Sequence, residues 1–140
     1  MRRIRRAGVL SLILCGLLAA GCGGGGNRVL QSISISPNPA VTTSGEVQLV
    51  ATGTYSAAPV TVTPMTVNWY GPAFPEATDN PVACAAGYCP TINASGMLAC
   101  GSHYTGTFTV TASAPVDPKE PLTAQNVPTV SGTATVSCNK

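Results

Sequence analysis

The sequence holds a single histidine and only five acidic residues, and charged side chains make up 9% of the chain. That scarcity removes most catalytic arrangements. His103 sits in a Gly-Ser-His-Tyr stretch, and a Ser-His-Asp triad would need Asp79 or Asp117 to hold it. No Gly-x-Ser-x-Gly elbow accompanies it. Glu46, Glu76, Asp79, Asp117 and Glu120 fall in polar turns, where little would raise a carboxyl pKa for acid–base work. Gly23 to Gly26 precede no helical pattern, so they form no phosphate-binding loop. Cys84-x4-Cys89 approaches zinc-ligand spacing, but there is no CxxC motif or second histidine to complete a site. No enzyme, metal or cofactor is expected. Also missing, after residue 22, is any apolar period of 3.6 residues, which argues against helices. The apolar run from Ala7 to Ala20 is fourteen residues, short of the ~20 that span a bilayer as a helix.

What is present begins with an address. Arg2, Arg3, Arg5 and Arg6 precede the apolar run, which closes on Leu18-Ala19-Ala20-Gly21-Cys22. A basic start, a short apolar stretch and small residues at a cut site make a secretory signal peptide, residues 1–21. Small residues ending on a cysteine resemble the lipobox of bacterial lipoproteins. That resemblance implies a lipid on the Cys22 thiol and cleavage just before it. The usual leucine three places before the cysteine is here Ala19, with Leu18 one place earlier. Cys15 follows bulky Leu14 and is no alternative. Residues 22–28 then read as the lipidated cysteine and a flexible glycine-rich tether. Removing the first 21 residues also removes four of the seven basic side chains. Arg28, Lys119 and Lys140 then face five acids, so no basic patch remains for nucleic acid.

Residues 29–140 are one domain's length and alternate with period two. Ile33 and Ile35 oppose Ser32, Ser34 and Ser36, and Pro37-Asn38-Pro39 ends that strand. After a turn at Thr43-Ser44-Gly45, Val47, Leu49, Ala51 and Tyr55 share a face of a strand over 46–55. Met65, Val67 and Trp69 form the inward face of a third strand, with Trp69 read as core. Phe108, Val110 and Ala112 alternate with threonines, and Ala134, Val136 and Cys138 close the chain in the same way. Short β-branched strands broken by Gly and Pro predict an all-β fold, a sandwich of about seven strands. The run Leu30–Pro37, Ala51-Thr52-Gly53-Thr54-Tyr55 and Val67-Asn68-Trp69 resembles the opening of bacterial Ig-like domains of group 2, the intimin- and invasin-type modules. Ile92–Leu98, Gly106–Ala112 and Ser131–Val136 match that family's later strands in order. The resemblance implies an Ig-like β-sandwich. The stretches 71–90 and 115–130 are longer than the family's links, and its members have no cysteine hallmark of this kind.

Cys84, Cys89, Cys100 and Cys138 remain after processing, and an even number in an exported domain predicts two disulfides. Alternating strand directions place all four at one pole. A tight Asn93-Ala94-Ser95-Gly96 hairpin would oppose Ile92 to Met97 and Cys89 to Cys100, leaving Cys84 for Cys138. Cys84–Cys89 with Cys100–Cys138 is the rival pairing, and the hairpin register favours the first. The long 71–90 insertion carries Phe74 and, between two cysteines, Tyr88. With Tyr70 these form a candidate binding surface at the stapled pole. Pro115 to Pro128 reads as a mobile, polar hairpin extension. The expected protein is a lipid-anchored envelope lipoprotein, at the outer membrane where there are two. Its domain would bind or adhere to polysaccharide or a surface protein. The alternatives are a structural spacer or accessory subunit of an envelope assembly and, more remotely, an enzyme using His103.

Overall fold

The computed structural model describes residues 27–71 and 89–139. The signal peptide, Cys15, Cys22, Phe74, Glu76, Asp79, Cys84 and Tyr88 lie outside the described residues. Among those described there is no helix, and none is therefore long and apolar enough to cross a membrane. The strands are β1 (Leu30–Ser36), β2 (Ala40–Thr42), β3 (Glu46–Gln48), β4 (Val50–Tyr55), β5 (Thr61–Val62), β6 (Asn68–Tyr70), β7 (Thr91–Ile92), β8 (Met97–Ala99), β9 (Gly106–Pro115) and β10 (Thr129–Cys138). They form three sheets, β1-β4-β5, β3-β8-β7 and β2-β10-β9-β6; the first two, continuous through Leu49 between β3 and β4, make one layer and the third makes the other. The result is a β-sandwich.

Ten strands stand where about seven were expected, because long runs are interrupted without changing direction. The 46–55 run divides at Leu49, whose N–H donates to the Gly96 carbonyl at 2.9 Å in register with β8, before the chain turns at Val50 to pair with β1. Its alternation survives the break: Leu49, Ala51 and Tyr55 are all buried. The first run likewise splits at Pro37-Asn38-Pro39. β1 then stays with β4 in one layer, while β2 crosses to pair parallel with the end of β10. Asn38 itself finishes that edge, accepting from Thr135 N and donating to Thr133 O like a short piece of strand. Proline cannot donate to a ladder, so the side chain between two of them takes over.

The core comes from the alternation that the sequence displays. Ile33, Ile35 and Leu49 of one layer face Phe108, Val110 and Val136 of the other. Each fully buried side chain of this size contributes about 1.5–3 kcal/mol by leaving water. Ala112, Ala114 and Ala134 are also buried, and such small side chains let the layers approach closely. Gly132 marks the tightest point, with its Cα against the backbone carbonyl of Ile33. Thr42 is the one buried polar side chain among the described residues; its hydroxyl donates to Glu46 O and accepts from Gly45 N.

Two expectations need correction. The connection from β9 to β10 is not a free hairpin extension. Val116 N donates to Pro128 O, Leu30 N donates to Val116 O, and Asn68 Nδ2 reaches Leu122 O at 2.8 Å. Leu122 packs on the core as a result. Arg28, read as tether, belongs to the domain. Its guanidinium lies 3.6 Å above the centroid of the Tyr55 ring and donates to Ala57 O and Pro59 O.

Candidate functional site

The disulfide pole carries a correction of its own. Cys100 is bonded to Cys138, with 6.0 Å between their Cα atoms, so the favoured Cys89–Cys100 pairing does not form. The reason is a one-residue difference in register. Ile92 pairs with Leu98 and Thr91 with Ala99, where the tight hairpin would have opposed Ile92 to Met97. Asn93 causes the shift. Its Oδ1 accepts from Ser95 N, Ser95 Oγ and Met97 N, and its backbone N–H donates to Met97 O. Gly96, at φ +81°, then completes a three-residue loop with the left-handed residue such loops require. One extra residue in the turn moves Cys100 past Cys89. It faces the end of β10 instead.

The bond joins the layers, since Cys100 follows β8 in one and Cys138 ends β10 in the other. Both sulfurs' residues are buried, and Cys100 N donates to Gly45 O at 2.6 Å. Cys89 is also disulfide-bonded. Cys100 and Cys138 take each other, so its partner lies outside the described residues. Peptide mapping of the unreduced protein is expected to give a fragment linking Cys84 to Cys89 and another linking Cys100 to Cys138. A Cys84–Cys138 fragment would contradict this arrangement.

His103 stands exposed between β8 and β9, at the disulfide pole. Asp117 lies beyond the far end of β9, a ten-residue strand. At ~3.3 Å rise per residue that strand separates them by about 30 Å, so Asp117 cannot hold His103. Asp79, the other acid considered for that role, lies outside the described residues.

Of the three aromatic residues proposed for binding, Tyr70 can be placed, and it is 54% exposed. Phe74 and Tyr88 lie outside the described residues. Tyr70 ends β6, whose only ladder partner among the described residues is β9. Trp69 is half-buried, not core as read from its alternation. Its ring lies over Gly96, where an added Cβ would come within 3.0 Å of Trp69 Cζ2. Glycine at the β7–β8 turn therefore seats the indole on one side and leaves its remainder in an open groove of about 540 Å³. β6, the Ile92–Ala94 corner and the Leu122–Gln125 part of the β9–β10 connection line that groove.

This groove was not foreseen. Its walls come from three segments that are distant in sequence, and Asn68 brings the third to the first by its bond to Leu122 O. A second hollow, about 300 Å³, lies under the same connection between Tyr55, Met65 and Leu122. Tyr55 Oη is satisfied there by Met65 Sδ at 3.8 Å, and no buried polar side-chain atom among the described residues lacks a partner. The site with exposed aromatic surface is the β6 groove.

No protein-family model matches this chain, and no curated protein matches it. The class that the fold defines is a small disulfide-stapled β-sandwich.

Proposed function

We propose that the protein is a cell-envelope lipoprotein, held by lipid on Cys22, whose sandwich is a non-catalytic surface-binding module of bacterial Ig-like type. The arginine-rich start, the short apolar run and Ala20-Gly21-Cys22 support the anchor. Two or more acyl chains, at about 0.8 kcal/mol per buried methylene, hold a protein stably at a membrane. Gly23 after the cysteine carries no aspartate retention signal, which favours the outer membrane in a two-membrane cell. The observation that carries the binding role is Tyr70, exposed at the end of β6 beside the half-buried Trp69. The ligand class is polysaccharide or another surface protein.

Two measurements test this reading. Wild-type protein is expected in the membrane fraction with incorporated fatty acid, and Cys22→Ser is expected to lose the label and leave that fraction. Unlabelled wild-type protein in the soluble fraction would sink the anchor. The purified full-length protein is also expected to co-sediment with isolated cell-envelope material. No co-sedimentation, together with reproducible in-cell cross-links to one envelope complex, would replace the binding role by that of an accessory subunit.

A further inference from the structure

The β6 groove has a chemistry of its own. Its sides present the Trp69 and Tyr70 rings, the side-chain amides of Asn93 and Gln125, and the Thr123 hydroxyl. Among the described residues no charged side chain lines it. Asn93 uses its Oδ1 to hold the turn, and no hydrogen bond to its Nδ2 occurs among the described residues. Gln125 and Thr123 are exposed. The groove thus offers aromatic faces for apolar contact and, around them, neutral groups that donate and accept.

That combination fits a sugar ring. A pyranose has a face of C–H groups, which packs on an aromatic plane, and a rim of hydroxyls that pair with amides and hydroxyls. The lack of charge matters as much. An anionic ligand desolvated here would meet no lysine or arginine among the described lining residues, and binding an unpaired charge is costly. A peptide added as a strand is disfavoured for a separate reason. β6 is three residues long, too short an edge to hold an extended chain by its backbone.

We propose, resting on the surface-binding reading above, that the groove along β6 is a binding site for a neutral polysaccharide. The site is on the flank of the sandwich and not at the disulfide pole. Trp69 and Tyr70, on opposite faces of β6, give the sugar apolar contact from the two sides of that strand, and Asn93, Thr123 and Gln125 bond its hydroxyls.

Trp69 is the only tryptophan in the chain and lines this groove, so a ligand bound there should change its fluorescence. Full-length protein in detergent would be titrated with a soluble neutral glucan, a mannan and a polyuronate, and run in native gels containing each. The expected result is retardation by at least one neutral polymer with a change in Trp69 emission, and none by the polyuronate. Tyr70→Ala and Gln125→Ala are each expected to weaken binding about tenfold, near 1.4 kcal/mol, at unchanged Tm. Tyr70 and Gln125 are both exposed, so folding is not at risk. Retardation by a neutral polymer that both variants keep would overturn the groove while leaving the surface-binding reading intact. Retardation by the polyuronate alone overturns the neutral class. Binding to an envelope protein in place of any of the three polymers overturns the proposal in favour of a protein ligand. No binding to the polymers or to envelope material overturns both readings.

Discussion

Replacing Cys100 and Cys138 together by alanine is expected to lower stability by about 4 kcal/mol. The bond closes a loop across a sequence separation of 38 residues. Cross-linking a chain over that distance removes conformational freedom from the unfolded ensemble, and the chain-entropy relation gives roughly this value. Native small domains hold about 5–15 kcal/mol in all, so the loss is a large fraction. For a domain of this size the Tm should fall by roughly 20 °C. Two effects can be separated. Reduction breaks the link but keeps both sulfur atoms in place, whereas the double alanine variant also empties space at residues 8% and 1% exposed. With Cys84 and Cys89 both replaced by serine, so that this bond is the one reduced, thermal unfolding of the reduced protein should therefore lie between the oxidised protein and the same background carrying Cys100→Ala and Cys138→Ala. A loss below about 1 kcal/mol would mean that the unfolded chain is already compact at this pole.

Gly132→Ala is the second large effect. The position lies in the middle of β10, and its backbone does not have a positive φ, so strain is not the issue. Space is. An added Cβ would overlap the Ile33 carbonyl oxygen and sit 2.9 Å from its carbon. These are backbone atoms of β1, held in turn by their ladder to β4, and they cannot rotate aside as a side chain would. Either β1 or β10 must shift at the point where the layers meet. The expected cost is about 2–3 kcal/mol, the upper part of the range for overpacking. Ser131→Ala, one residue earlier and exposed, is the control and should change stability by less than about 0.5 kcal/mol. Equal midpoints for the two variants in urea would show that the layers are not in contact there.

These cases mark what the sequence makes legible. The alternation of Ile33 and Ile35, of Leu49, Ala51 and Tyr55, and of Phe108, Val110 and Ala112 identifies strands because the pleat has a period of two residues. Strand direction then follows from counting, and it places the ends of β8 and β10 together, as the Cys100–Cys138 bond requires. Register does not follow. A two-residue and a three-residue turn both suit Asn93-Ala94-Ser95-Gly96, and the choice falls to one side-chain oxygen with three donors around it. The pairing of the cysteines depended on that choice.

Trp69 shows a different limit. Period two says which face a residue is on, not whether the opposing layer reaches far enough to cover it. Among the described strands β6 stands last in its sheet, and Trp69 on its inward face is covered only in part. The groove is harder still to foresee. Tyr70, Asn93 and Gln125 are unremarkable where they stand in the chain, and no local pattern connects them. The sequence points to Tyr70 and to Phe74 and Tyr88 of one long insertion, whereas the described site is assembled from three segments. Gly132 carried a usable signal, since glycine inside a strand often marks a close approach of another backbone.

The point of attachment has a mechanical meaning. The chain enters the sandwich at Arg28, clamped over Tyr55, and Leu30 N is bonded to Val116 O at the end opposite the Cys100–Cys138 bond. Any load applied through the residues before Arg28 is received at that end and passes into β1. Since Leu30 pairs with Tyr55 and Ser36 with Val50, the pull runs along the β1–β4 ladder and not across it. Hydrogen bonds loaded lengthwise share the force, while those opened from one end break in turn. A load so applied would meet the domain in its stronger direction. The disulfide closes the far pole, and the β6 groove faces sideways to the line of tension.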